Sequence, residues 1–170
     1  MYGYCKDEAA FTGWLRSALR RVWTKHPAKL QLIQDLRFQK RLGNRKVYHV
    51  NCVKCGEATK LKDLEINHLN TVTQGGLSKD TFGDYALRLL WVTVDELEPV
   101  CRTCHSTITY SERYGVNIEE AKIQKQAIEF CKNKAGKQKQ MLEDFGYKPE
   151  ASALKRREQF ANHLRRIPCQ

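Results

Sequence analysis

The stretch Leu97-Glu98-Pro99-Val100-Cys101-Arg102-Thr103-Cys104-His105 decides how the rest of the chain is read, because its two cysteines match a second pair in Cys52-Val53-Lys54-Cys55-Gly56. A two-residue spacer lets both thiolates of a pair turn onto one ion. Two such pairs complete a tetrahedral set of four sulfurs, which favours zinc. A closed set of Cys52, Cys55, Cys101 and Cys104 leaves no open position, so the expected Zn²⁺ is structural and supplies folding free energy. Seven cysteines occur in all, with Cys5, Cys131 and Cys169 outside the pairs. An odd count, two tight pairs and no apolar leader over the first residues argue against a disulfide framework. They fit ordinary thiols in a reducing, cytoplasmic setting. A redox role fits less well, since one such pair suffices for redox chemistry and no βαβ pattern surrounds either.

Working outward, the gap between the pairs is far longer than the roughly 15–20 residues of a simple zinc ribbon. The insert contains Leu64-Glu65-Ile66-Asn67-His68, which reads as a short strand. Residues 46–51 are β-like in composition, 71–80 read as a polar loop with a Gly-Gly pair, and 82–91 read as a short helix. A further helix is expected from His105 onward.

The flanks read as helical. Over residues 6–26, Phe11, Trp14, Leu15, Ala18, Leu19 and Val22 recur at helical spacing, with Arg16, Arg20, Arg21 and Lys25 opposite and Pro27 as the break. A second helix is expected over 28–42, with Leu30, Ile33 and Leu36 inward and Gly43 as its C′ residue. After 113 the chain reads as basic helices. Asn117 and Glu120 suggest a capping box, and Ile118, Ala121, Ile123, Ala127, Ile128 and Phe130 form a loose apolar face. Gly136 and the 146–149 region are expected to interrupt it. A last helix over 152–166 puts Leu154, Phe160 and Leu164 inward and Lys155, Arg156, Arg157, Arg165 and Arg166 outward. The fold class is therefore α+β, mainly helical: a helical extension (1–45), a cysteine-framed core (46–113) and a basic helical region (114–170).

The chain has 170 residues, 30 Lys plus Arg against 19 Asp plus Glu, and a net charge of +11. Excess positive charge points to a polyanion, because neutralising phosphates releases condensed counterions. No apolar run is long enough for a membrane helix, so no membrane partner is expected.

The core motifs resemble the HNH, or ββα-metal, nucleases. That family shows a CxxC, a strand ending in Asp-His, a loop, Asn-Leu, and a second CxxC followed by His or Asn on a helix. Here these positions hold Cys52/Cys55, Asn67-His68, Glu96-Leu97 and Cys101/Cys104 with His105. Arg16 to Arg21 followed by Trp23 is similar to a group of phage-encoded HNH proteins. The resemblance implies a metal-dependent endonuclease acting on DNA, expected to be double-stranded, in the cytoplasm of a bacterial host, with a homodimer as one arrangement for cutting both strands. It implies His68 as general base and Asn67 and His105 as ligands of a catalytic Mg²⁺ or Mn²⁺. Glu96 stands at the family's middle Asn and is expected to orient His68, ahead of Glu65. Arg102, Arg113, Tyr110, Arg20 and Arg21 are the expected DNA contacts. Two departures matter. Asn67 replaces a carboxylate with a neutral amide, and Glu96 replaces an amide with a carboxylate. A zinc module that binds DNA without cutting it is therefore a second reading, and a zinc scaffold that binds protein a third. His26, His49 and His163 lie outside the cysteine frame and read as surface or packing residues, with His49 the nearest of them to the site.

Overall fold

The computed structural model describes residues 4–70 and 81–167. The expected loop over 71–80 and the thiol of Cys169 lie outside the described residues. The fold is α+β, with 60% of the described residues helical and small sheets of two and three strands. Two compact units divide after His105, one covering 1–105 and one covering 106–170.

The first unit opens with helix α1, Glu8–Thr24, whose N-terminus is capped by Asp7 accepting from the Ala10 N–H at 2.7 Å. Helix α2, Pro27–Leu36, starts with proline at its first position, where the missing N–H costs nothing. The expected helix over 28–42 ends there. Residues Phe38–Leu42 instead form strand β1, which pairs antiparallel with β2, Arg45–Asn51. The link is Gly43-Asn44, a two-residue hairpin turn with Gly43 at φ 58°. Glycine at the first central position is what a type II′ turn requires, so Gly43 turns a hairpin rather than ending a helix. The inward face of α2 also differs from the expectation. Leu32 is buried, while Leu30 and Leu36 are exposed.

Strand β3, Ala58–Lys60, adds to the other edge of β2 at its buried end, Val50↔Thr59. Strand β4, Leu64–His68, pairs antiparallel with β5, Leu97–Cys101. Between them lie the described part of the insert and helix α3, Phe82–Leu90, opened by a reciprocal Thr81–Asp84 capping box. Leu32, Ile66 and Leu97 form a small core, with Trp23, Ile33, Leu64, Val92 and Val94 packed on it. On α1, Phe11, Leu15, Ala18 and Leu19 are half-buried and Trp14 and Val22 are exposed. Arg16, expected on the solvent face, is half-buried and lies over the Tyr85 ring at 5.8 Å.

Helix α4, Arg102–Tyr114, follows β5 without a linker. Its later turns belong to the second unit, with α5 (Ile118–Cys131), α6 (Ala135–Asp144) and α7 (Ala153–Arg166). Asn117 caps α5 by accepting from the Glu120 N–H at 2.8 Å. The core holds Ala127, Phe130, Leu142, Phe160 and Ala161, with the Phe130 and Phe160 rings stacked at 4.4 Å. Gly136 lies inside α6 and does not interrupt it; the break falls at 132–134. There the Gln138 amide donates to the carbonyls of Cys131 and Asn133, satisfying groups that the end of α5 leaves open. Arg156, expected to face outward, is buried and donates to Gln138 Oε1 and to the Glu150 and Ala151 carbonyls. Leu154, expected inward, is exposed.

Candidate functional site

The four paired cysteines converge. The Sγ atoms of Cys52, Cys55, Cys101 and Cys104 all lie within 4.8 Å of one another, and Cys55 to Cys101 is 4.0 Å. A tetrahedral ion with bonds of about 2.3 Å needs sulfurs about 3.8 Å apart, so the cluster can hold a metal ion such as zinc. The first turn is shaped by backbone bonds. The Gly56 N–H donates to the Cys52 carbonyl at 2.8 Å, the Cys52 N–H to the Glu57 carbonyl at 2.9 Å, and Gly56 takes φ 73°. The Val53 N–H donates to the Pro99 carbonyl at 3.0 Å, which ties this turn to β5. Cys101 ends β5 and Cys104 sits in the first turn of α4, where its N–H points at the Cys101 sulfur.

The thiols perturb one another. Burial resists ionisation of Cys52, yet the backbone N–H groups of Cys101, Cys55 and Lys54 bring it down to about 7. Burial and the neighbouring thiols push Cys104 up. Four thiolates crowded this closely repel, and a divalent cation at their centre removes that penalty. Among the described residues, no other group of three or more His, Cys, Asp or Glu side chains is gathered to hold an ion.

His68 ends β4, half-buried. Its Nε2 lies 3.1 Å from the Leu89 carbonyl, which can only accept. The proton therefore sits on Nε2, and Nδ1 keeps its lone pair. The ring lies 4.5 Å from that of Trp23, whose other neighbour at 5.2 Å is His26. His26 makes the matching bond, Nε2 to the Leu90 carbonyl at 2.9 Å. Consecutive carbonyls at the end of α3 thus hold two imidazoles against one indole. Burial pushes the His68 pKa below its ordinary value, and the charges of His26 and His105 add to this, while the Leu89 carbonyl and Glu96 oppose it. His68 also lines a cleft of about 490 Å³ with Asn70, Leu87, Arg88, Trp91, Val92 and Glu96.

The remaining sequence-predicted residues are spread over several elements. Glu96 lines the same cleft, but its carboxylate accepts from the Thr93 N–H and hydroxyl, both at 2.9 Å. It acts on His68 through its charge. Asn67 projects to the side of the hairpin away from His68, as strand alternation requires. Its Nδ2 donates to Glu98 Oε1 at 2.9 Å, and Glu98 pairs with Lys54 at 2.9 Å. His105 is half-buried in the first turn of α4. Arg102 is exposed, 4.0 Å from Glu65, and Arg20 and Arg21 are exposed on α1. Tyr110 and Arg113 belong to the second unit, where Tyr110 packs on Tyr114 at 4.4 Å and Arg113 is exposed.

Sequence reasoning missed Trp23 and His26 as neighbours of His68, and Glu98 and Lys54 as partners of Asn67. The last pairing was readable, since Asn67↔Glu98 follows once the two strands are paired. His49 is buried and lies 6.1 Å from the Phe38 ring, a packing residue. His163 stacks on Phe145 at 4.1 Å.

No family model, curated protein or solved structure matches the chain. The geometry defines an α+β protein with a four-cysteine cluster fit for a metal ion. No helix among the described residues is long and apolar enough to cross a membrane.

Proposed function

We propose that the chain is a metal-dependent HNH-type endonuclease that hydrolyses DNA phosphodiester bonds, with a structural zinc in the four-cysteine cluster. The observation that carries this reading is His68. It ends the first strand of an antiparallel pair that runs through the cysteine cluster into a helix, and its Nε2 is committed to a backbone carbonyl. An imidazole so held keeps Nδ1 free as a base, and a lowered pKa keeps it unprotonated at neutral pH.

In this reading, Nδ1 takes a proton from a water that attacks phosphorus in line. The bond to the 3′ oxygen breaks, solvent protonates that oxygen, and 5′-phosphate and 3′-hydroxyl ends remain. A divalent ion supplies Lewis-acid stabilisation of the developing charge. The resemblance would give that ion Asn67 and His105 as ligands, but the Asn67 amide faces away from His68 and is paired with Glu98, and neither residue brings a carboxylate, which is a poor set for Mg²⁺. Mn²⁺ tolerates nitrogen ligands better and is the first ion to test.

A second reading, a zinc module that binds DNA without cutting, draws support from Asn67, whose amide is paired with Glu98 where the resemblance expects a ligating carboxylate. Supercoiled plasmid incubated with Mn²⁺, Mg²⁺ or chelator separates the two. Nicking by the chain or by Asn67→Asp, lost in His68→Ala, is the expected result. Binding without nicking in all three forms overturns catalysis.

A further inference from the structure

We infer that the β1–β2 hairpin is a second contact element for nucleic acid, a basic ribbon that lies in the major groove of B-form DNA. From Arg37 to Gly56 the chain contains Arg37, Lys40, Arg41, Arg45, Lys46 and Lys54 and no acidic residue. Lys40, Arg41, Arg45 and Lys46 crowd around the Gly43-Asn44 turn, and all four are exposed. Among the described residues none of the four forms an ion pair. The register places Arg41 directly opposite Lys46. Like charges directly opposite destabilise a strand pair, so this arrangement weakens the isolated hairpin and suits one laid against anions. Guarding the edge of a sheet also uses charge, lysine above all, but two of these four cations are arginines, whose planar fork suits phosphate.

The shape selects the partner. Every residue of β1 is exposed, so the ribbon stands clear of the core on both faces. Its base is fixed, because His49 and Val50 are buried and β3 pairs with β2 there. Arg37 lies over the Tyr48 ring at 4.8 Å, and the Gln39 amide donates to the Tyr48 hydroxyl at 2.9 Å, which stiffens one face. A two-stranded ribbon fits the major groove of B-form DNA, about 12 Å wide. The major groove of A-form RNA is too deep and narrow to admit it. The hairpin belongs to the unit that holds the cysteine cluster and His68. The inference concerns binding and does not depend on cleavage.

The test uses the full, zinc-loaded chain carrying His68→Ala, so that cleavage cannot enter the measurement. Fluorescence anisotropy with a short duplex DNA is recorded over a range of salt. The comparison variant replaces Lys40, Arg41, Arg45 and Lys46 with Gln, and zinc stoichiometry and circular dichroism check its fold. A control, Arg41→Lys with Lys46→Arg, keeps the charge. The slope of log affinity against log salt should fall by about 3 to 4 in the Gln variant, at about 0.9 for each phosphate no longer neutralised. The control should keep its slope. Weakened DNA binding by the Gln variant, together with plasmid left uncut by the chain with His68 intact and by Asn67→Asp, upholds the ribbon and overturns the nuclease. An unchanged slope, with plasmid cut by the chain with His68 intact, does the reverse. The ribbon is also overturned by a chain that binds no DNA, or by a duplex RNA of equal length that binds as tightly and responds to the four substitutions equally.

Discussion

The two units reach a folded state by different means. The second, residues 106–170, does so by burial: Phe130, Phe160, Leu142 and two alanines form a contiguous core, and even Arg156 is drawn inside with three oxygens to receive its donors. The first, residues 1–105, buries Leu32, Ile66 and Leu97 as its main cluster and leaves Trp14, Trp91, Leu30, Leu36 and Leu87 exposed. What that small core lacks, an ion held where the two cysteine turns meet would supply. Both units carry exposed cations and a half-buried histidine, His68 in the first and His163 in the second, so the difference between them lies in the cysteine cluster.

The strongest way to break this contrast is to remove the metal. Chelation should unfold the first unit, since the ion's binding free energy is about 10–16 kcal/mol in small zinc-dependent folds. Side-chain resonances of Ile66 and Leu97 should collapse while those of Phe130 and Phe160 stay dispersed. Uniform loss of both sets would show that the units do not differ in this way.

Phe160→Ala inverts the experiment. Truncating a buried phenylalanine costs about 3–5 kcal/mol, and Phe160 loses its stack on Phe130. Denaturant melting should show the second unit weakened by that amount, with metal stoichiometry at the cysteines unchanged.

A smaller effect sharpens the account of the first unit. The folded pKa of His68 is lowered, chiefly by burial, so the folded state binds fewer protons than the unfolded state. Its contribution to stability is full above the unfolded value of about 6.5 and is lost as the pH falls through the folded value. A ring-proton titration by NMR should place His68 below 6.5, and Trp23→Ala, which opens the ring to water, should move it back up. An unmoved midpoint would remove Trp23 from the account of this site.

The smallest effect belongs to the surface of the second unit. Arg165 and Glu120 pair at 2.5 Å, and this hydrogen bond holds the Glu120 carboxyl below its usual range. Both side chains are partly exposed, so Glu120→Gln should cost under about 1 kcal/mol in thermal melts. That contribution is present above the ordinary glutamate range and lost as the pH falls through the lowered value.

Much of this organisation is legible in the sequence, for reasons that differ by residue. The cysteine pairs announce themselves because a thiolate pair on one ion demands a fixed spacing. The strand at Leu64–His68 and the helices after Asp7, Thr81, Asn117 and Ser152 carry local signals, the helices a capping side chain in each case. The hairpin is not legible from periodicity, because all of β1 is exposed and alternation has nothing to record. The helical spacing of Leu30, Ile33 and Leu36 also runs straight into it. The Gly43-Asn44 pair was the available signal. Arg156 is hidden for a different reason. It sits between Lys155 and Arg157, and only the fold distinguishes the one cation with oxygens to receive it. The neighbours of His68 are hidden because Trp23 and His26 meet it across more than forty positions of chain.

That meeting gives the molecule an optical handle. Of its three tryptophans, Trp14 and Trp91 stand largely in solvent, and Trp23 alone lies between two imidazoles. An indole beside a neutral ring and the same indole beside an imidazolium differ in emission, because the cation draws on the π-electrons. The fluorescence of Trp23 therefore responds, without any label, to protonation of the imidazoles beside it, the proposed base among them.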